Sequence, residues 1–199
     1  MNKVLVETVR DHVLACYRQE TPPYLHYHNL AHTESVVDHA LEIGRAYSLG
    51  DEDLTLLSIA AWFHDLGHLY TIPEQHEYKS AALMADFLAD RCPPETIERI
   101  KNILLATRFM SRPSSLLEEI IRDADTYHLG TPEFRNTDQL VKEEMEERTG
   151  QCFGDWEQHA LLLLKSHRFH TAYCQEKLNE GKQQNIRYLE ERLESQIDQ

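Results

Sequence analysis

Between Leu54 and Phe63 the chain places eight apolar residues in ten positions, namely Leu54, Leu56, Leu57, Ile59, Ala60, Ala61, Trp62 and Phe63. Wound as a helix, they cover nearly every direction of the wheel, and a helix apolar all round is stable only when other elements surround it. The pattern predicts a central buried helix over residues 52–64. Elsewhere, apolar residues recur at three- and four-residue steps along almost the whole chain. No period-two alternation persists between turn signals, which predicts an all-α fold. Only 7 Gly and 7 Pro in 199 residues leave little room for long loops.

Breaks at Pro, Gly and polar clusters divide the chain into eight or nine helices. The expected spans are 3–18, 30–47, 52–64, 77–91, 94–109, 115–127, 132–148, 155–170 and 172–195. Pro94 and Pro132 suit a first helical turn, where the missing amide costs little. No repeat or linker divides the sequence. The expectation is one helical domain over 1–199, with its chemistry in 24–130 and further helices in 131–199.

Twenty Lys+Arg against 34 Asp+Glu give a net charge of −14, which argues against a protein that coats nucleic-acid phosphates. No apolar run approaches the roughly 20 residues of a membrane span, and the polar start builds no signal-peptide core, so a cytoplasmic location is expected. Cys16, Cys92, Cys152 and Cys174 are dispersed and suggest no zinc site. The C-terminal helix carries Ile186, Leu189 and Leu193 at helical steps; it packs on its own bundle or on a second copy, which leaves a homodimer open.

Histidine is the unusual residue, with twelve in all and seven between His26 and His76. The apolar central helix ends in His64-Asp65, two ionisable groups at the edge of a dry core, where charge is expensive unless paired or metal-bound. His32 flanks the inward face of the second helix, in line with Val36 and Ile43. Asp123 and Asp125 interrupt the apolar periodicity of Leu116, Leu117, Ile120, Ile121 and Ala124. The helical wheel puts these two acids on opposite flanks of the stripe and does not choose between them. Imidazole and carboxylate donors together suit a divalent ion such as Mn, Fe, Zn or Ni, or Mg with water completing the shell.

The ordered series His32, His64-Asp65 and Asp125 resembles the signature of the HD superfamily of metal-dependent phosphohydrolases. The flanking segments Tyr27-His28-Asn29-Leu30-Ala31-His32, Ala61-Trp62-Phe63-His64-Asp65, Ala106-Thr107-Arg108 and Asp123-Ala124-Asp125-Thr126-Tyr127-His128-Leu129-Gly130 are similar to the small predicted HD phosphohydrolases of bacteria. His167-Arg168-Phe169-His170-Thr171 and the closing helix extend the likeness. The resemblance implies an all-α HD-type bundle in which His32, His64, Asp65 and Asp125 hold the metal, the Ala-Asp pattern choosing Asp125 over Asp123. It also implies that Asp65 is placed to bridge a second ion.

The Tyr-His-Asn segment is similar to that of the cyclic-nucleotide phosphodiesterases, which implies His28 as general acid and His68 as a residue near the second metal's water. The likeness departs after Arg108. Many relatives with two metals carry a further histidine there, where this chain has Phe109-Met110. His76 is available nearby, but its neighbour Glu77 better fits the polar pattern of the subgroup. One ion is therefore expected, and a second stays open. Lys79, Lys101 and Arg108 are candidates to hold phosphate. The expected activity is hydrolysis of a small phosphoester, a nucleotide or related phosphate, and the alternative is a sensor that binds such a ligand without cleaving it.

Overall fold

The computed structural model describes residues 2–108 and 111–197. It comprises two compact units, one of Met1–Pro22 with His28–Asp125 and the other of Pro23–Tyr27 with Thr126–Gln199. The described residues form nine α-helices and three short 3₁₀ turns, with no strand. The all-α expectation therefore holds, and no helix among the described residues is long and apolar enough to cross a membrane.

The first unit contains α1 (Lys3–Glu20), α2 (Leu30–Ala46), α3 (Asp51–Phe63), α4 (His76–Leu88), α5 (Pro94–Leu105) and α6 (Leu116–Asp125). As its sequence predicts, α3 is the centre: every residue from Thr55 to Phe63 is buried, and α1, α2, α4, α5 and α6 all pack against it. Fully burying a side chain of the size of Leu56, Leu57 or Ile59 contributes roughly 1.5–3 kcal/mol. The helix therefore ends in a rigid place.

Two local devices set the positions of its neighbours. Asn29 caps α2, its Oδ1 accepting from the amides of Ala31 at 2.9 Å and His32 at 3.3 Å, so the first turn of α2 begins where His32 can face inward. After α3 the chain tightens into a 3₁₀ turn, Leu66–Leu69. Gly67 makes this turn's close approach to α4 feasible, because a Cβ there would lie 2.1 Å from the His76 carbonyl oxygen. The Gly67 amide donates to Ser80 Oγ at 2.8 Å and closes the contact.

Between α5 and α6, Arg122 gathers the turn. Its guanidinium donates to the carbonyls of Ala106 at 2.7 Å and Arg108 at 2.8 Å, and to Ser111 Oγ at 2.6 Å. α5 thus stops at Leu105, short of the expected 109; Phe109 itself lies outside the described residues. α6 likewise stops at Asp125 and yields to a 3₁₀ turn, Tyr127–Gly130, where a helix through 127 was expected.

The second unit holds that 3₁₀ turn with α7 (Phe134–Thr149), α8 (Trp156–Ser166) and α9 (Ala172–Ile197). α8 is shorter than the expected 155–170. His167 turns to an extended conformation, and its carbonyl accepts from the buried Lys182 Nζ at 2.7 Å. Gly181 lets α9 approach the 127–130 turn, since a Cβ would lie 2.0 Å from the Gly130 carbonyl oxygen. Asn185 fastens the two, donating to the carbonyls of Leu129 at 3.0 Å and Thr131 at 2.8 Å. The fully buried Glu144 accepts from the Tyr27 amide at 3.0 Å and pairs with Arg148 at 3.2 Å, which anchors the Pro23–Tyr27 segment to α7.

Candidate metal centre

Three helices of the first unit deliver one donor set. His32 comes from the first turn of α2, His64-Asp65 from the end of α3 and Asp125 from the end of α6, and their ligand atoms all lie within 4.8 Å of one another. His32 Nε2 is 3.2 Å from Asp65 Oδ2 and 3.2 Å from Asp125 Oδ1. His64 Nε2 is 3.1 Å from Asp65 Oδ2, 3.6 Å from Asp125 Oδ1 and 3.4 Å from His32 Nε2. Four ligands about 2.1 Å from one ion are separated by about 3.0 Å in an octahedral arrangement and about 3.4 Å in a tetrahedral one. The cluster has the spacing of a coordination sphere.

The hydrogen bonding fits the same reading. Asp65 Oδ2 is buried and accepts no hydrogen bond of normal geometry, although two imidazole nitrogens stand beside it. An oxygen left so costs stability unless a cation satisfies it. His64 Nδ1 lies 2.8 Å from the Ala61 carbonyl, to which it donates, so Nε2 is the nitrogen left with a lone pair facing the cluster. The Asp125 side chain is 25% exposed while that of His64 is fully buried, so the cluster opens to solvent on the α6 side.

Electrostatics tie the four together. Burial opposes charge on each of them, but here the mutual attraction outweighs it. Against burial, the negative charge and close approach of Asp65 and Asp125 hold His64 well above its usual 6.5, and the same two carboxylates raise His32. The same contacts hold the carboxyls of Asp65 and Asp125 below the ordinary range. This is a site built to contain positive charge, whether as protons or as an ion.

Asp65 also looks the other way. Its Oδ1 lies 3.4 Å from His76 Nε2 and 3.8 Å from His68 Nε2, so Asp65, His68 and His76 form a second group with metal-ligand spacing. His76 Nδ1 is 2.5 Å from the Pro73 carbonyl, which again directs Nε2 inward. Sequence reasoning set His76 aside in favour of Glu77. The signal lay in Pro73: the 3₁₀ turn Pro73–Gln75 starts α4 at His76 rather than at 77, so the histidine occupies the first turn and faces Asp65.

The imidazole rings of His28, His68 and His76 are stacked, with centroids 4.2 Å apart for His28–His68 and 3.8 Å for His68–His76, and His28 lies 6.0 Å from His32. Asp123 is fully buried and lies outside both groups. The candidate phosphate holders make other contacts: Lys79 Nζ sits 5.9 Å over the Tyr70 ring, Arg108 sits 4.5 Å over Tyr78, and Lys101 pairs with Glu98 at 3.2 Å.

The HD domain family model matches residues 29–130, which span both groups and more than half of the chain. The chain belongs to the HD domain family. No curated protein and no solved structure matches it. HD domains are metal-dependent phosphohydrolases as a superfamily, and this HD domain carries its His and Asp residues where they can hold a divalent ion. His28 lies one residue before the matched region, at the end of the segment that leads into α2.

Proposed function

We propose that this HD domain hydrolyses a small phosphate ester of nucleotide type, using a divalent ion held by His32, His64, Asp65 and Asp125. One observation carries the reading: the two oxygens of Asp65 face two separate histidine groups, Oδ2 toward His32 and His64 and Oδ1 toward His68 and His76. A carboxylate so placed serves two adjacent positions along a phosphoryl group. It therefore supports a second ion between Asp65, His68 and His76 in addition to the first.

A divalent cation supplies an acidified water at neutral pH and offsets charge on the phosphoryl oxygens. The protein does the rest. His32 and His64 are held with their Nε2 atoms inward, the latter through the Ala61 carbonyl, so little reorganisation accompanies substrate binding. His28, at the partly exposed end of the imidazole stack, is the group that protonates the departing oxygen. His68 packs flat between His28 and His76 and fixes both rings. Arg108, supported on Tyr78, and Lys79, on Tyr70 and one turn along α4 from His76, are the cations proposed to receive a second anionic group of the substrate.

Phosphorus NMR of Mn-supplemented protein with pooled cyclic, mono-, di- and triphosphate nucleotides tests the reading, with Asp65→Ala in parallel. New phosphorus resonances with the unmutated chain alone are expected. Metal-loaded protein that binds nucleotide but forms no product would establish the sensor instead.

A further inference from the structure

Arg108 stands apart in a chain whose net charge is −14. It is exposed and pairs with no carboxylate among the described residues; its guanidinium lies instead 4.5 Å over the ring of Tyr78, itself 52% exposed. Support on a ring leaves the N–H donors without an oxygen acceptor, and a planar fork kept in that state suits two-point contact with phosphate. Core packing does not account for the pair, since both residues are open to solvent.

Both ends of the pair are fixed. Arg122 holds the Arg108 carbonyl at 2.8 Å, together with the Ala106 carbonyl at 2.7 Å and Ser111 Oγ at 2.6 Å, and such charge-assisted bonds are the strong ones. On α6, Arg122 precedes the ligand Asp125 by about one turn. Burial lowers the Arg122 pKa, and the charges of Asp125 and Asp123 oppose the shift, so the guanidinium that grips the turn also feels the ligand carboxylate. At the other end, Tyr78 shares the first turn of α4 with His76. Arg108 therefore bridges the two helix ends that supply Asp125 to one ligand group and His76 to the other.

We propose that Arg122 and Tyr78 are positioning residues that hold Arg108 ready for a second phosphoryl group, so that the domain prefers nucleotides with linked phosphoryl groups to monophosphates. The inference rests on the reading that the ion site receives the first phosphoryl group. A cation that served only solubility would need neither the ring beneath its side chain nor the Arg122 bonds behind its backbone. A tethered guanidinium also gives up less freedom on gripping an anion than a loose one does.

Steady-state hydrolysis of ADP and AMP by the Mn-supplemented full chain tests this. kcat/KM should be at least about tenfold higher for ADP; where neither is turned over, the same ratio is read as relative affinity at equal free Mn. Tyr78→Leu keeps bulk and removes the ring, and it and Arg108→Gln should each bring the ratio near one, while Tyr78→Phe retains the preference. Arg122→Lys, which offers a point in place of a fork, should raise the KM for ADP by about tenfold, more than it lowers kcat. Tyr78 and Arg108 are exposed, so their variants test the proposal even if Arg122→Lys unfolds, and circular dichroism checks each. AMP hydrolysed as well as ADP would overturn the proposal and leave the phosphohydrolase reading standing. A preference for ADP that survives both Tyr78→Leu and Arg108→Gln would also overturn it.

Discussion

His76 Nε2 lies 3.4 Å from Asp65 Oδ1, on the side of the carboxylate opposite to the one that faces His32 and His64. This relationship divides the site into two ligand groups that share one residue. The two groups are separable by mutation.

His76→Ala removes a ligand from the second group only. Elemental analysis of dialysed protein should show one ion fewer per chain than the unmutated protein, with the ion at His32, His64, Asp65 and Asp125 retained. Unchanged metal content would take His76 out of the site.

His28 contributes to neither ligand pair around Asp65 but caps the imidazole stack. His28→Ala should keep its metal and lose turnover by about 10²–10⁴-fold, the usual contribution of a positioned general acid. Turnover of the unmutated rate would assign proton delivery to another group.

Without metal, thermal stability should pass through a maximum in mildly acidic solution. His64 and His32 are raised above 6.5, so their contribution is complete below 6.5 and is lost as pH rises through the raised values. Asp65 and Asp125 are lowered below 3.8, so theirs is complete above 3.8 and is lost as pH falls through the lowered values. Mn should reverse the alkaline loss, because the ion takes the place of the protons and binds more tightly as they leave. Melting curves from pH 4 to 9, with EDTA and with Mn, check this; a melting temperature that rises steadily to pH 9 in EDTA would contradict it.

Gly67→Ala places a methyl group 2.1 Å from the His76 carbonyl oxygen, which is backbone at the start of a helix and has little freedom to retreat. A loss of about 1–3 kcal/mol is expected from such overpacking, together with weaker metal binding as α4 is displaced. Denaturant titration reads the first and metal titration the second. A variant with unmutated stability would show that the 66–69 turn has slack.

The central helix was legible because it rests on a strong local pattern, and the four residues His32, His64, Asp65 and Asp125, which the family resemblance implies as ligands, do lie together in the fold. Residues 54–63 are apolar in every direction, and His64-Asp65 terminates them abruptly. Other features depend on long-range contacts that leave no periodic trace. The inward turn of His76 follows from Pro73 and the packing of Gly67, thirteen residues from Ser80. The extended stretch after Ser166 follows from Lys182 reaching back to the His167 carbonyl. The wheel left Asp123 and Asp125 equivalent; their separation, one fully buried and one in the ligand cluster, comes from where α6 ends and from what α2 and α3 present to it.

The burial of every residue from Thr55 to Phe63 bears on how this protein ages. Backbone amides in such a helix trade their hydrogens for deuterium only when the whole surrounding unit opens. The His64-Asp65 pair thus follows directly on a helix whose amides are expected to exchange only on opening of its unit, while His28, outside any helix, follows a loop. Storage or heating should disturb proton delivery well before it disturbs the ligands from α3, giving a preparation that still holds its ion after its turnover has declined.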